Sequence, residues 1–216
     1  MKKVISLEQA MSHIKDGMTI MVGGFLGTGT PHLLVDEIEK RGFKNLTIIA
    51  NDTSFVDNGV GKLVVNNQVS KVIASHIGTN AETGRKMNAN EMEVELVPQG
   101  TLAERVRAGG TGLGGILTPT GLGTLVEEGK QKIVIDNKEY LIETPLRADV
   151  ALIAGELVDE KGNIVYDKAA RNFNPLMAMA ADVVIVEAVN LVKAGEIDPD
   201  RVVTPGIVVD FIVKGE

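Results

Sequence analysis

Short apolar runs alternate along the first half of the chain with segments whose apolar residues recur every three or four positions. The runs MTIMV, LTIIA, KVIAS and MEVELV are typical of strands buried on both faces. The segment SLEQAMSHIKDG places Leu7, Met11 and Ile14 on one face, which is typical of an amphipathic helix, and TPHLLVDEIEKRG and TLAERVRAGG are also predicted helices. This alternation predicts parallel strands joined by crossover helices.

Polar residues, proline and glycine mark the ends of the predicted helices. A Ser or Thr followed three residues later by Glu or Gln can form a capping box, and glycine commonly follows the last turn. The predicted caps are Ser6 with Gln9, Thr30 with Pro31, and Thr101 with Glu104, and the predicted stops are Gly17 and Gly42.

The second half of the chain has a different pattern. Two apolar runs flank Asp136-Asn137, and two more flank the turn Lys161-Gly162-Asn163, so each pair predicts an antiparallel hairpin. NPLMAMAADVVIVEA predicts a helix that begins at Asn174-Pro175 and runs directly into a strand. With no linker, repeat or low-complexity segment in the sequence, we predict one domain over residues 1–216. The predicted class is α/β, an open mixed, mostly parallel sheet with flanking helices and β-hairpin additions.

Composition excludes several classes of function. The chain has 216 residues, a net charge of −7 and no cysteine. The negative charge argues against nucleic acid or an anionic membrane as partner. The absence of cysteine excludes disulfides and thiolate metal sites and is consistent with a cytoplasmic protein. No apolar run is long enough to cross a bilayer, and the amino-terminal residues lack the pattern of a signal peptide.

A glycine-rich segment, VGGFLGTGTP, lies between a predicted strand and a predicted helix, where anions are commonly bound. It is not the dinucleotide fingerprint, because His32 stands where the third glycine would be needed. It is not a P-loop, because no Gly-Lys-Ser/Thr follows. From spacing alone, a ligand-binding loop and a loop whose glycines only permit a tight turn both fit.

The segment DGMTIMVGGFLGTGTP, residues 16–31, resembles the signature of the α subunit of type I CoA-transferases at every position. The segments KVIASHIGTNAETGRKM, ELVPQGTLAERVRAGGTGLGG and ARNFNPLMAMAAD also resemble that subunit, and with others they cover nearly the whole chain. The resemblance implies a CoA-transferase-like fold. It also implies transfer of CoA between acetoacetate and short-chain carboxylates such as acetate and butyrate.

The family's mechanism is covalent, and the resemblance implies a partner chain. In this family a glutamate in a Ser-Glu-Asn-Gly motif of the β subunit attacks the acyl-CoA thioester, and a glutamyl-CoA thioester follows. This sequence has no such motif. Its nearest segment is LVEEG, in which Glu128 is expected to be a surface carboxylate at a helix end. The resemblance therefore implies a β subunit carrying the nucleophile, an α2β2 or larger assembly, CoA as substrate, and neither cofactor nor metal.

The resemblance also assigns site residues. Gln99 matches the family glutamine that supports the oxyanion, although it could instead tie Pro98 to Thr101. Asn51 follows a buried strand, where open α/β sheets bind ligands, although an Asx-turn with Asp52 and Thr53 fits equally. The predicted residues that bind CoA are Gly24, Phe25, Leu26, Gly27, Thr28, Gly29, Thr30 and Asn51.

Other candidates are weaker. His13 and His32 are too isolated for a metal site, and His76 is more often structural in such a position. Arg105 and Arg107 are expected near a helix end, in contact with solvent or with CoA phosphates. The glycine-rich segment 108–124 is interpreted as a loop wall at a subunit contact, and Phe173 as core or pocket. A ligand-sensing module that binds a sugar phosphate or CoA ester is the alternative function, and an NAD-dependent oxidoreductase is the third.

Overall fold

The computed structural model describes residues 3–215, which contain eleven strands and six α-helices. Helices and strands alternate as far as β5, and most of the elements that follow are strands. The strands are β1 (Thr19–Val22), β2 (Leu46–Ala50), β3 (Val69–Ala74), β4 (Glu93–Leu96), β5 (Ile116–Thr118), β6 (Lys132–Ile135), β7 (Lys138–Glu143), β8 (Ala148–Asp159), β9 (Ile164–Val165), β10 (Ala181–Val192) and β11 (Phe211–Lys214). The helices are α1 (Leu7–Met11), α2 (His32–Arg41), α3 (Val60–Val65), α4 (Ala81–Asn88), α5 (Gln99–Thr111) and α6 (Asn174–Met177).

The main sheet has the order β11-β10-β8-β1-β2-β3-β4, and every neighbouring pair along this path is parallel. Strand β9 adds an antiparallel pairing to β8. The predicted mixed, mostly parallel sheet is therefore confirmed. The runs that form β1, β2 and β3 are mostly buried, as central parallel strands must be. MEVELV is not a buried strand, because β4 lies at the edge of the sheet and Leu96 is 48% exposed.

Alternate side chains of the central strands point to two separate cores. Ile20 and Ile48 pack with residues of α1, α2 and α3 on one face of the sheet. Met21 and Ile49 pack with residues of α5 and α6 on the other face. This alternation is the period of two that a strand imposes on its side chains. It leaves the ends of the strands, rather than their faces, open to ligands.

Both predicted hairpins are confirmed. Strands β6 and β7 pair across Asp136 and Asn137, whose φ angles of 50° and 60° are those of a type I′ turn. With β5 they form a separate three-stranded antiparallel sheet. Strands β8 and β9 pair across the turn at Gly162, which has φ of 90°. The predicted strand at the end of NPLMAMAADVVIVEA is β10, preceded by the single-turn helix α6.

The end of α1 and the start of α5 differ from the prediction, whereas the capping box of Ser6 with Gln9 and the stop at Gly42 are confirmed. Helix α1 ends at Met11, well before Gly17, because the hydroxyl and backbone N–H of Ser12 both bond to the carbonyl of Gln9. Helix α5 begins at Gln99, directly after Pro98, so Thr101 lies inside its first turn rather than at a cap.

The start of helix α2 also differs from the prediction, because Thr30 does not cap it. Pro31 occupies the cap position and makes no side-chain bond. The carboxylate of Glu187 on β10 instead accepts the N–H of Leu34 at 3.1 Å. A strand of the sheet thus provides the cap that the local sequence lacks.

The glycine-rich segment 108–124 is not a continuous loop wall, which corrects the interpretation above. Its first four residues complete α5, and residues 116–118 form β5. A β-carbon on Gly109 would lie 1.9 Å from the carbonyl oxygen of Leu146, and one on Gly110 would lie 2.7 Å from Met179 Cβ. These two glycines let the helix approach neighbouring chain segments closely.

Candidate active site at the carboxyl edge of the sheet

A pocket of about 360 Å³ lies at the carboxyl ends of β1, β2 and β3 and the start of α5. The residues that line it are Phe25, Leu26, Asn51, Asp52, Ser75, His76 and Gln99. Four of the predicted site residues, from three distant segments of the chain, are thus brought together: Phe25, Leu26, Asn51 and Gln99. Open α/β sheets bind ligands at this edge, which makes the pocket the candidate active site.

The polar side chains of the pocket form one hydrogen-bonded chain. The Gln99 amide Nε2 donates to Asn51 Oδ1 at 2.5 Å, and Asn51 Nδ2 donates to Asp52 Oδ2 at 2.6 Å. Asn51 is buried, with 2% of its surface exposed, so its amide needs both partners. Gln99 does not tie Pro98 to Thr101. It reaches across to the end of a neighbouring strand.

Ser75, at the end of β3, fixes the other side of the Gln99 amide. Its hydroxyl oxygen lies 2.8 Å from the backbone carbonyl of Asn51 and within hydrogen-bond distance of Gln99 Oε1. When the single hydrogen of the Ser75 hydroxyl is donated to Gln99 Oε1, the amide oxygen of Gln99 faces Ser75 and the amide nitrogen faces Asn51. That nitrogen carries two hydrogens, and the bond to Asn51 uses one of them. The second is available to a ligand.

Asp52 connects this chain to the glycine loop, defined here as residues 23–30. Its Oδ2 accepts the N–H of Leu26 at 3.0 Å, and its Oδ1 accepts the N–H of Ser54 at 2.7 Å. Leu26 and Ser54 have φ angles of 48° and 52°, which are unusual for residues with side chains, so the carboxylate holds two strained turns. The turn expected at Asn51 is made by Asp52, which the sequence analysis missed as a site residue.

The glycines of the loop are required by contacts within this chain. Gly24, Gly27 and Gly29 have φ angles of 125°, 88° and 72°. A β-carbon on them would lie 2.1 Å from Thr30 Oγ1, 2.5 Å from Asn58 Nδ2 and 2.6 Å from the Ala170 carbonyl oxygen, respectively. These contacts support the tight-turn interpretation of the glycines, and the close approach shown is by the chain itself. Ligand binding by the loop stays a prediction.

Most backbone donors of the loop are already used. The N–H groups of the loop that donate within the chain are those of Gly23, Gly24, Phe25, Leu26, Thr28 and Thr30. Only the side chains of Phe25 and Leu26 among the predicted loop residues line the pocket, and Phe25 is 47% exposed. The predicted CoA contacts of Gly24, Gly27, Thr28, Gly29 and Thr30 stay predictions. Phe25 is the loop residue best placed to meet a ligand.

The three histidines occupy unrelated places. His76 lines the pocket and is bridged to Asp52 by backbone pairing. The His32 ring nitrogen Nε2 lies 3.1 Å from the Gly27 carbonyl oxygen, and the His13 ring lies 4.4 Å from that of Phe211. Over residues 3–215, no group of three or more His, Cys, Asp or Glu side chains is arranged to hold a metal ion.

The structure corrects the prediction for Arg105. It lies in the middle of α5, is 7% exposed, and donates to Glu95 at 2.6 Å and to the Thr144 carbonyl at 2.8 Å. It is therefore largely shielded from solvent and does not line the pocket. Partners on other elements bury it, since a buried guanidinium needs paired acceptors. Arg107, also mid-helix, pairs with Glu104 at the surface.

The exposure of Phe173 and Glu128 decides the predictions made for these two residues. Phe173 belongs to the core between the sheet and α5 and α6. Glu128 is exposed after the short 3₁₀ helix Leu125–Glu127, so its prediction as a surface carboxylate is confirmed. In the described part of the chain, no helix combines the length and apolarity that crossing a bilayer requires.

Comparison with solved structures extends the fold assignment. An acyl-CoA transferase from Escherichia coli O157:H7, solved as a thioester complex with CoA, matches with a TM-score of 0.91 and 24% identity. The match covers 99% of this chain and 47% of that one, so this chain spans about half the length of that enzyme. At this identity the likeness shows a common fold.

Sequence relatives assign the family. The acetate CoA-transferase subunit alpha of E. coli K12 is 59% identical over 214 residues, and the acetoacetyl-CoA:acetate/butyrate CoA transferase alpha subunit of Clostridium acetobutylicum is 58% identical over 212 residues. These alignments cover 99% and 98% of this chain and 97% of each relative. The family model described as Coenzyme A transferase matches residues 4–215. The chain, with its pocket at the carboxyl edge of the sheet, belongs to the coenzyme A transferase family.

Proposed function

We propose that this chain is the α subunit of a heteromeric CoA-transferase that moves CoA between acetoacetate and short-chain carboxylates such as acetate and butyrate. Two relatives above 55% identity along nearly the whole chain carry names of that kind. The observation that carries the proposal is the pocket in which Gln99, Asn51 and the glycine loop meet. A ligand-sensing module, the alternative considered above, is not favoured, because the chain belongs to a family of transferases.

The nucleophile is assigned to a β subunit. This chain contains no Ser-Glu-Asn-Gly motif, and its nearest counterpart, Glu128, does not line the pocket. More than half of the E. coli O157:H7 enzyme has no counterpart in this chain, which agrees with a site completed by a second chain. We therefore expect a cytoplasmic α2β2 or larger assembly, with CoA as a substrate and no metal or other cofactor.

The proposed reaction has four covalent steps. The partner's glutamate carboxylate attacks the thioester carbonyl and expels CoA thiolate, which leaves a mixed anhydride. The thiolate attacks the glutamyl carbonyl, forms the enzyme thioester and releases the first carboxylate. A second carboxylate attacks this thioester, again forming an anhydride and thiolate. The thiolate then attacks the acyl carbonyl and restores the glutamate. Each step passes through a tetrahedral oxyanion.

This chain contributes groups that stabilise the oxyanion and position the substrate. The free N–H of the Gln99 amide donates to the oxyanion, because Asn51 and Ser75 hold the amide in one orientation. Phe25 and Leu26 provide an apolar wall for the acyl group or the adjacent part of CoA. Asn51, which accepts from Gln99 through Oδ1 and donates to Asp52 through Nδ2, acts through Gln99 as a positioning residue.

Coexpression tests the proposal. The chain is produced alone and together with a candidate β subunit that carries Ser-Glu-Asn-Gly, and each sample is assayed with acetoacetyl-CoA and acetate. We expect acetyl-CoA only from the complex, and none when the partner's motif glutamate is replaced by glutamine. Turnover by the isolated chain would contradict the assignment of the nucleophile. A complex that assembles but transfers CoA to no short-chain carboxylate would contradict the proposed function.

A further inference from the structure

Two asparagines in the segment 168–174 bond to the glycine loop at positions other than the Asp52 contact. Asn172 Oδ1 accepts the N–H of Gly24 at 3.1 Å, and Asn172 Nδ2 donates to the carbonyl of Thr28 at 3.0 Å. One amide side chain thus bonds to both ends of the tight turn formed by residues 24–28. The same side chain is fixed by its own segment, through the carbonyl of Ala169 at 2.9 Å.

Asn174 makes the second attachment and is completely buried. Its Nδ2 donates to the Gly29 carbonyl at 3.0 Å and to the Ala170 carbonyl at 2.8 Å, while its Oδ1 accepts the N–H of Ala154 on β8 at 3.1 Å. Both the nitrogen and the oxygen of its side-chain amide are therefore bonded to the backbone of other segments. Asn174 therefore ties the end of the loop to the central sheet.

The loop sequence is adapted to these two side chains. A β-carbon on Gly23 would lie 1.9 Å from Asn174 Oδ1, so only glycine leaves room for the amide. Gly29 is needed for the same reason beside Ala170, whose carbonyl Asn174 also holds. Gly23 is thus explained by Asn174, and Gly29 by the Ala170 backbone that Asn174 holds, without a ligand.

Neither asparagine lines the pocket, whereas the loop residues Phe25 and Leu26 between their attachment points do. We propose that Asn172 and Asn174 are positioning residues that set the conformation of the glycine loop for CoA transfer. This inference rests on the proposed function for its kinetic part. Asp52 connects Leu26 of the loop through Asn51 to Gln99, so loss of the attachment at Asn172 lets the loop shift and disturbs the position of the Gln99 amide. A displacement of about 1 Å at such a site can lower a rate by about 10²-fold.

Asn172 is the residue to change, because it is only half-buried and its replacement leaves the core intact. Asn172→Ala removes both bonds to the loop. Asn172→Asp retains the oxygen that accepts the Gly24 N–H and loses the donor to Thr28. The matched control is Asn190→Ala on β10, where an exposed asparagine side chain bonds to Glu156, away from the loop.

The first readout is residue-resolved hydrogen exchange on the full chain. We expect the Gly24 amide to exchange at least tenfold faster in Asn172→Ala and to stay protected in Asn172→Asp. Amides of β8 should be unchanged in both variants, and Asn190→Ala should match the wild type throughout. Unchanged exchange at Gly24 in Asn172→Ala would overturn the inference, as would a uniform acceleration over the whole chain.

The second readout is steady-state kinetics of the assembled complex. We expect Asn172→Ala to lower kcat at least tenfold and to change KM less than threefold, with partial recovery in Asn172→Asp. A kcat equal to that of Asn190→Ala would overturn the positioning role. If the wild-type complex transfers no CoA, the proposed function fails, while the exchange experiment still decides whether the pair holds the loop.

Discussion

The Gln99 amide nitrogen lies 2.5 Å from Asn51 Oδ1 and thereby joins residues 48 positions apart in the chain. Gln99 begins α5 and Asn51 follows β2, so the bond connects the start of a helix to the end of a strand. Ser75, from the end of β3, lies against the amide oxygen of Gln99. A flexible side chain is thus held in one orientation before substrate arrives, which is the condition for effective stabilisation of an oxyanion.

Replacing Gln99 should affect the chemical step. In the assembled enzyme, Gln99→Ala is expected to lower kcat about 10²–10³-fold and to raise KM much less, because the hydrogen bond strengthens as charge develops. Gln99→Glu should be at least as harmful, since its carboxylate would face Asn51 Oδ1 and the oxyanion. The control is the exposed Gln131→Ala. Near wild-type kcat in both Gln99 variants, with normal assembly, would place the oxyanion donors elsewhere.

Phe25 should contribute to binding and little to stability. Its side chain is 47% exposed on the pocket wall, so Phe25→Ala removes apolar surface that a ligand would cover. We expect KM for the CoA ester to rise about 5–10-fold, equivalent to about 1 kcal/mol, with kcat within threefold and an unchanged melting temperature. Leu125→Ala, at a position 83% exposed and outside the pocket, is the control. An equal KM in the two variants would remove Phe25 from the binding site.

Arg105 should contribute to stability and not to binding. Arg105→Ala leaves Glu143, 2% exposed, with Lys130 as its remaining partner and removes the bond to Glu95. Breaking a buried ion pair lowers the free energy of unfolding by about 3–5 kcal/mol. Because Glu95 is partly exposed, we expect a loss of about 3 kcal/mol, at the lower end of this range. Arg107→Ala, at a surface pair, should cost less than about 1 kcal/mol. Urea unfolding measures both, and a raised KM for CoA esters in Arg105→Ala would instead indicate a phosphate contact.

The Glu187 carboxyl should make stability depend on pH. Burial raises its pKa from 4.5 to about 7, and the Asp36 charge adds to this, while the N–H groups of Leu33 and Leu34 partly oppose it. The folded chain therefore binds this proton more tightly than the unfolded chain. Its contribution to the free energy of unfolding is fully present below pH 4.5 and decreases as pH rises to about 7.

Glu187→Gln retains an oxygen that can accept the Leu34 N–H but cannot ionise. We expect it to remove this decrease and to stabilise the chain at pH 8 by at most about 3 kcal/mol. Urea unfolding at pH 5 and pH 8 measures the difference, with Glu156→Gln on β8 as the control. A pH dependence equal to that of the wild type would show that Glu187 does not titrate in this range.

Continuous apolar runs made the central strands predictable, and residues 16–31 were specific enough to indicate the family, which the relatives confirm. Helices α3 and α4 were not predicted. The sequence of α3, VGKLVV, is rich in valine and favours a strand by propensity. Helix α4 buries Lys86 and Thr83 instead of an apolar stripe, and the Lys86 ammonium donates to the Val64 carbonyl at 2.5 Å. Such a contact depends on a partner from another element.

The sequence identified several residues of the site but not the contacts between them. Asn51 was expected at the carboxyl edge of the sheet and Gln99 as support for the oxyanion, but the direct bond between them was not expected. Asp52 was treated only as a turn residue, although its carboxylate connects the strand end to Leu26. The pair Asn-Asp directly after a buried strand was the available signal. The burial of Arg105 could not be predicted from the sequence, because its acceptor, the Thr144 carbonyl, is 39 residues away in the chain. Thr144 directly follows β7, a strand of the separate three-stranded sheet.

The central position of β1 has a consequence for synthesis of the chain. β1 pairs with β2 on one side, through Ile20 and Ile48, and with β8 on the other, through Ile20 and Val150. The ribosome completes β1 to β4 long before residue 150 emerges. Until β8 is made, β1 is an edge strand of the nascent sheet, although it lies in the middle of the finished sheet. Unpaired strand edges promote aggregation. Release of the chain before β8 is made would therefore yield an aggregation-prone fragment, and folding to completion must await the second half of translation.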